Sequence, residues 1–224
     1  MKVVIVNASH RKDGATAKVL NEFASQLKRS ATEISMFHVS DLDIAFCKGC
    51  CSCYKTGECF IADDAEKLSQ VISSADAIVI GTPCYVSGVS GQLKTLIDRG
   101  HFVIEQLLKG KHAIGVVTYE NAGGGSAYNY LKNLFASSGA KTVEKLIVKT
   151  DFDSDPIKNS KLKTKIKKKA TKLCNSIQNS KSSLVCSIIN FLVLNVGIKP
   201  FVLRKGVAYQ GVLNHWKEKG ISYE

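Results

Sequence analysis

The sequence has no G-x-x-x-x-G-K-[ST] loop and no G-x-G-x-x-G in the turn after its first apolar run, so neither nucleotide hydrolysis nor a dinucleotide-binding turn is indicated. A membrane span wants roughly 20 apolar residues. The uncharged stretch Ser182 to Ile198 reaches only seventeen and is interrupted by Ser187, Asn190 and Asn195. Internal repeats are missing beyond an alternation of strand and helix, and the only biased tract is a lysine run. His10, His38, His101, His112 and His215 follow no metal-binding spacing. No nucleic-acid recognition motif accompanies the basic character, so nucleic acid is not expected as a partner. The start, M-K-V-V-I-V-N, reads as a strand entering a loop, not as a charged leader followed by a long apolar segment. With eight cysteines, that reading leads to the expectation of a cytoplasmic protein whose thiols are reduced or bind metal.

What is present suits a globular α/β chain. At 224 residues and 45% hydrophobic, the sequence can bury a sizeable core, as one domain or one domain with an appendage. The net charge of +12 favours anionic partners, but eight lysines and no acid lie between Lys158 and Lys172, which reads as a solvated helix face. Lys2 to Asn7, Glu33 to Val39, Asp76 to Gly81, His112 to Thr118 and Thr142 to Lys149 read as five strands. Helical periodicity fills the intervals: Ala15 to Arg29, a helix capped by Asp63 or Asp64, Gln92 to Asp98, Tyr128 to Ser138, and a lysine-rich helix opened by Asp155-Pro156. Five strand–helix repeats predict an open parallel sheet with helices on both faces. Ligands of such sheets lie beyond the carboxyl ends of the strands, so the loops after strands one to four are expected to share one rim. Residues 1–179 form this domain, and 180–224 a C-terminal extension packing on the core or a partner subunit.

Three of those loops suggest a flat, phosphorylated ligand. The first offers the Ser9 and Thr16 hydroxyls, Arg11, and backbone N–H groups around Asp13 to Thr16 at a helix start, a favourable place for an anion. Lys12 is expected to face solvent and Asp13 to cap the helix. The third loop sets Pro83 past a strand, offers Tyr85 as an aromatic cover and the amides of Val86 to Gly88 as donors, and has Gly88 and Gly91 where another group can come close. Asp98 and Arg99 are expected to pair locally, and Cys84 to be a packed residue, not a nucleophile. The fourth loop, T-Y-E-N-A-G-G-G, suits close packing on a planar group, with Glu120 expected to be exposed.

The second loop holds five of the eight cysteines. Cys47, Cys50, Cys53 and Cys59 follow an x2, x2, x5 spacing, with Cys51 extra. Such spacings can converge on one metal centre, and can equally bond none.

Together, S-x-R-x-x-G-x-T, C-x-G-C-x-x-C-x-x-x-x-x-C and P-x-Y-x-x-x-x-S-G-x-L-K-x-x-x-D-R resemble the NAD(P)H-dependent FMN reductase group of flavodoxin-like proteins, and within it the iron–sulfur flavoproteins. The resemblance covers residues 1 to about 175 and implies a sheet of order 2-1-3-4-5. It implies that Ser9, Arg11, Gly14, Ala15 and Thr16 hold the FMN phosphate. It places the flavin ring on Pro83, Tyr85, Val86, Ser87 and Gly88, with Thr118, Tyr119, Gly123 and Gly124 lining the other side. It further implies NAD(P)H as co-substrate, a small-molecule or redox-protein acceptor, and a homo-oligomer. In the iron–sulfur branch Cys47, Cys50, Cys53 and Cys59 ligate a [4Fe–4S] cluster; cluster-free reductases resemble the same motif, so cluster, zinc and free thiols stay open. No side chain is required as an acid or base, and none is assigned as catalytic. The expected function is an FMN-dependent oxidoreductase. The alternatives are a non-enzymatic iron–sulfur/flavin electron carrier, and a structural or membrane-surface protein whose peripheral membrane contact runs through the lysine helix and the uncharged run.

Overall fold

The computed structural model describes residues 1–30, 32–151, 153–180 and 183–223. Five parallel strands, β1 (Lys2–Asn7), β2 (Glu33–His38), β3 (Ala77–Pro83), β4 (His112–Tyr119) and β5 (Lys141–Lys149), form one sheet in the order β2-β1-β3-β4-β5. The helices are α1 (Ala15–Lys28), α2 (Ser52–Thr56), α3 (Asp64–Ser74), α4 (Gly91–Arg99), α5 (Gly124–Ser137), α6 (Ser160–Gln178), α7 (Leu184–Leu192), α8 (Lys199–Lys205) and α9 (Gln210–Glu218). The predicted sheet order and layering are therefore observed.

The central strands are apolar at nearly every position because both of their faces are covered. Alternate residues serve alternate layers. Val3, Ile5, Ala77, Val79, Ile114 and Val116 pack under α1 and α6. Val4, Val6, Ile78, Ile80, Ala113 and Val117 pack under α3, α4 and α5. Gly81 lets α1 lie close: a Cβ there would stand 2.5 Å from the Leu20 side chain.

Helix starts follow local side-chain chemistry. Asp63 caps α3 by accepting from the Ala65 N–H at 3.0 Å, and Ser90 caps α4 by accepting from the Leu93 N–H at 3.2 Å. The lysine-rich helix departs from expectation. Asp155 caps only a single 3-10 turn, Pro156–Lys158; Asn159 is extended, accepts from the Lys161 and Leu162 N–H groups, and starts α6 afresh at Ser160. Helix α5 begins four residues before the expected Tyr128, because Gly123 adopts a left-handed φ of 85° and turns the chain into the helix early.

The extension divides into two halves, with Lys181, Ser182 and Glu224 lying outside the described residues. In α7, Asn190 Nδ2 donates to the Ala140 carbonyl at 2.8 Å, while Leu184, Val185, Ile188, Phe191 and Leu192 remain exposed. A π-helical stretch, Val193–Ile198, follows without a break in the helix. From Leu194, within that stretch, the chain turns inward: Leu194, Val202, Tyr209, Val212, Trp216 and Ile221 form a third core with Tyr54 and Ile104. The first half thus touches the sheet domain along one side only, at Asn190 and Cys186, whereas the second half is buried on Tyr54 and Ile104.

Candidate functional site

The ends of β1, β3, β4 and β5 surround a cleft of about 290 Å³. It brings together Ser9, Arg11, Ala15 and Thr16 from the first loop, Pro83, Tyr85 and Val86 from the third, and Thr118 and Tyr119 from the fourth. Parallel strands make this inevitable once their loops are short, since all carboxyl ends lie on one edge.

Short links lock these loops to one another. The Thr16 and Thr118 hydroxyls bond at 2.7 Å, both buried. Buried Ser90 donates from its hydroxyl to the Ala8 carbonyl at 2.7 Å, and its N–H donates to the Thr82 hydroxyl at 3.0 Å, tying β1, β3 and α4. The Cys84 N–H donates to the Thr118 carbonyl at 2.8 Å.

At the helix end of the cleft, Gly14 is the N-cap of α1 and has no side-chain capping bond, and the first turn carries no acid. Asp13 therefore does not cap, contrary to expectation. Amides of an uncapped first turn attract an anion. Lys12 is half exposed but paired, its Nζ 2.5 Å from Asp41.

At the other end, Tyr85 to Gly88 form a tight turn closed by two backbone bonds, Tyr85 N–H to the Gly88 carbonyl at 3.1 Å and Gly88 N–H to the Tyr85 carbonyl at 2.9 Å. Its central residues Val86 and Ser87 have φ of 49° and 61°. Positive φ at a β-branched residue is strained and marks a site where the chain is held for a purpose. The turn leaves Val86 fully exposed and Tyr85 half-exposed beside the cleft. Because the Gly88 N–H bonds within the turn, the expected donor set loses that member.

Gly14, Ser87, Gly88, Gly123 and Gly124 shape the walls without lining the cleft. A Cβ on Gly123 would stand 2.6 Å from Ser87 Oγ, and one on Gly124 2.4 Å from the Tyr119 ring. Gly123 therefore lets the third and fourth loops touch, and Gly124 lets the start of α5 lie on Tyr119. Gly91, in contrast, has nothing within 4 Å of its missing Cβ and simply opens α4.

Cys84, Glu120, Asn121, Ala122, Thr150 and Asp151 complete the lining. Burial raises the Cys84 thiol pKa above its ordinary value, which disfavours the thiolate. Thr150 and Asp151 were not anticipated; their signal was available, because they follow the fifth strand as the other loops follow theirs.

The cysteine loop does not join this rim, which corrects the expectation that four loops would share it. It is drawn aside by Arg99. Rather than pairing with Asp98, which binds Lys94 at 2.6 Å, Arg99 is buried and bonds Asp63 at 2.7 Å and the carbonyls of Ala45 and Ile61 at 2.8 and 3.3 Å. It thereby pins both ends of the loop. Burial opposes ionisation of Asp63, but the hydrogen bonds from Arg99 prevail and lower its pKa.

The extension covers the loop from outside. His215 Nε2 lies 2.8 Å from the Gly57 carbonyl, Tyr54 stacks on Tyr209 at 4.8 Å, and a Cβ on Gly211 would stand 2.1 Å from the Gly57 nitrogen. Beneath, His101 sits between Glu66 at 2.9 Å and Glu105 at 3.1 Å. Burial pulls its pKa down, but the two carboxylates outweigh it and lift the value to about 10.

Four thiols at this spacing form a donor set suited to an iron–sulfur cluster. The buried Arg99 Nε, which has no hydrogen-bond partner among the described residues, places a positive donor at the base of the loop. The thiols are not gathered, however: among the described residues no group of three or more His, Cys, Asp or Glu side chains is placed to hold a metal ion. Cys47, Cys50 and Cys51 are exposed, and burial, with Glu105 and the neighbouring thiols, pushes the Cys53 thiol up to about 12. Ligation at Cys53 would have to displace that proton.

Fold and cleft together define a flavodoxin-like flavoprotein. The chain belongs to the NADPH-dependent FMN reductase family, whose model matches residues 1–155. It is 35% identical over 225 aligned positions to an iron–sulfur flavoprotein of Clostridioides difficile, spanning 99% of this chain and 100% of that one. An NADH:FMN oxidoreductase in its apo form superposes with a TM-score of 0.59 at 19% identity, over 83% of this chain and 92% of the other. A flavodoxin from Streptococcus pneumoniae TIGR4 superposes with a TM-score of 0.56 at 15% identity, over 79% and 99%. These two likenesses speak to the fold.

Proposed function

We propose that this protein is an FMN-dependent oxidoreductase that takes reducing equivalents from NADH or NADPH and passes them to a small molecule or a redox protein. One observation carries the reading: a single cleft unites the uncapped first turn of α1, the hydroxyls of Ser9 and Thr16, and the exposed Tyr85–Val86 turn. FMN, when bound, supplies reversible one- and two-electron chemistry. The chain's part is to bind and orient. Ser9, Arg11 and the amides at Ala15 and Thr16 would hold the phosphate. Tyr85, Val86 and Tyr119 would border the ring and exclude water, and Pro83 and Thr118 would fix the backbone around it.

The test is anaerobic purification followed by titration with each nicotinamide cofactor. Bound flavin that bleaches on addition of NADH or NADPH is the expected result. Protein that holds no flavin after incubation with FMN would sink the reading.

The second reading, an iron–sulfur/flavin electron carrier, is favoured by the four-cysteine spacing and by the similarity to an iron–sulfur flavoprotein. There Cys47, Cys50, Cys53 and Cys59 would hold a [4Fe–4S] cluster, a one-electron store, with Cys51 left out. Flavin that responds to dithionite but ignores both nicotinamide cofactors, in protein that contains iron, would select the carrier over the enzyme. Loss of iron with retained flavin in Cys53→Ser would support Cys53 as a ligand.

A further inference from the structure

The outward side of the extension's first half is an apolar stripe that nothing among the described residues covers. Leu184, Ile188, Leu192 and Val196 recur at four-residue intervals, flanked by Val185 and Phe191; Phe191 is 63% exposed and Val196 69%. Native monomers rarely present such a contiguous face without a use for it. The opposite side of the same helix is docked, through Asn190 and Cys186 on the Ala140 carbonyl, so the stripe is held outward.

Charge identifies the occupant. Between Asp155 and Glu218 the sequence contains no acidic residue. The stripe is followed directly by Lys199, Arg204 and Lys205, the last two exposed, and preceded in the chain by the lysines of α6. A two-fold pairing of this face with a second copy would bring cations against cations, with no acid in the segment to answer them. An anionic lipid surface answers both features: headgroups meet the lysines and arginine, and acyl chains receive the apolar side chains.

We infer that the stripe Leu184 to Val196, with Arg204 and Lys205, is a site for peripheral binding to an anionic membrane surface. The helix lies on the membrane and does not cross it. Leu184–Glu218 is by length and composition apolar enough to span, but crossing would strip Val202, Tyr209, Val212 and Trp216 from the core they share with Tyr54 and Ile104. The site stands apart from the flavin cleft, so it is independent of the reading proposed above.

The test is flotation of the full chain with vesicles of phosphatidylcholine alone and of phosphatidylcholine mixed with phosphatidylglycerol. The protein is expected to float with the mixed vesicles only and to be released by salt. The double change Ile188→Asp and Phe191→Asp should weaken that binding by about tenfold or more. Arg204→Glu with Lys205→Glu should weaken the preference for anionic lipid. Both changes fall on exposed side chains, and unchanged emission from buried Trp216 shows that the fold persists. Failure of the wild type to float, or flotation of the Asp variant equal to wild type, overturns the inference. So does a wild type that ignores vesicles but is a dimer in sedimentation, which the Asp variant converts to a monomer; that result assigns the face to a second copy.

Discussion

The cleft and the cysteine loop both follow sheet strands, yet they are held by opposite means. The cleft is fixed by links among strand ends: Thr16 to Thr118, Ser90 to Ala8 and Thr82, Cys84 to Thr118. The cysteine loop is fixed by groups remote in the chain: Arg99 beneath it, and Tyr209, Gly211 and His215 above it. A site made from the sheet inherits the sheet's rigidity. A site made from a long loop depends on whatever is laid over it, and here that is a segment outside the five-strand architecture.

The comparison is broken most severely by Arg99→Met. Removing one partner of a buried ion pair leaves Asp63 desolvated without its counter-charge, at a cost of about 3–5 kcal/mol. Chemical denaturation should show that loss, with the loop becoming sensitive to protease. An effect within error of zero would deny Arg99 its place as the clip. Next comes Gly211→Val. Its Cβ meets backbone at Gly57, not a yielding side chain, so α9 must lift; the expected cost is about 3 kcal/mol. Trp216, the only tryptophan, is buried and donates to the Ile104 carbonyl at 2.9 Å, so its emission should shift to the red while flavin content stays unchanged. Parallel loss of flavin would show that the two regions are not separate.

Arg11→Ala acts on the other side of the comparison. Losing a charge-assisted contact to phosphate should weaken FMN binding about tenfold to a hundredfold, with Trp216 emission unaltered. Equal FMN affinity in a titration would remove Arg11 from the site. A graded effect is expected from pH. His101 gains its two carboxylates on folding and its pKa rises from 6.5 to about 10, so the stability it adds is complete below about pH 6.5 and fades as pH climbs toward about 10. Trp216 emission should drift red over that window before flavin is released. Release of flavin first would contradict the assignment of His101 to the loop's support.

The same contrast explains what was legible in the sequence. Alternating apolar strands and amphipathic helices give local, periodic signals, so the sheet order and the loops around the cleft followed from them together with the motif resemblance. Thr150 and Asp151 were within reach of the same rule but lie in a loop without a motif. Arg99 was misjudged because its partner, Asp63, lies 36 positions away, and separation of that kind leaves no trace in spacing. The extension was only partly legible for a related reason. Its uncharged run gives no sign of which half is covered; the fold buries Val202, Tyr209, Val212 and Trp216 and leaves Leu184, Val185, Ile188, Phe191 and Leu192 exposed. The strained turn at Val86 and Ser87 was equally hidden, since neither residue type advertises a left-handed backbone.

That division within the extension depends on the π-helical stretch Val193–Ile198. A wider turn advances the angular phase of everything downstream, as a slipped tooth does in a gear train. The chain can thus point Leu184, Ile188 and Leu192 away from the body before the slip and Val202 into it afterwards, ahead of the turn that Gly206 makes at a φ of 55°. Length in this short stretch therefore matters more than its composition: one residue removed would rotate Val202 out of phase with the pocket that receives it.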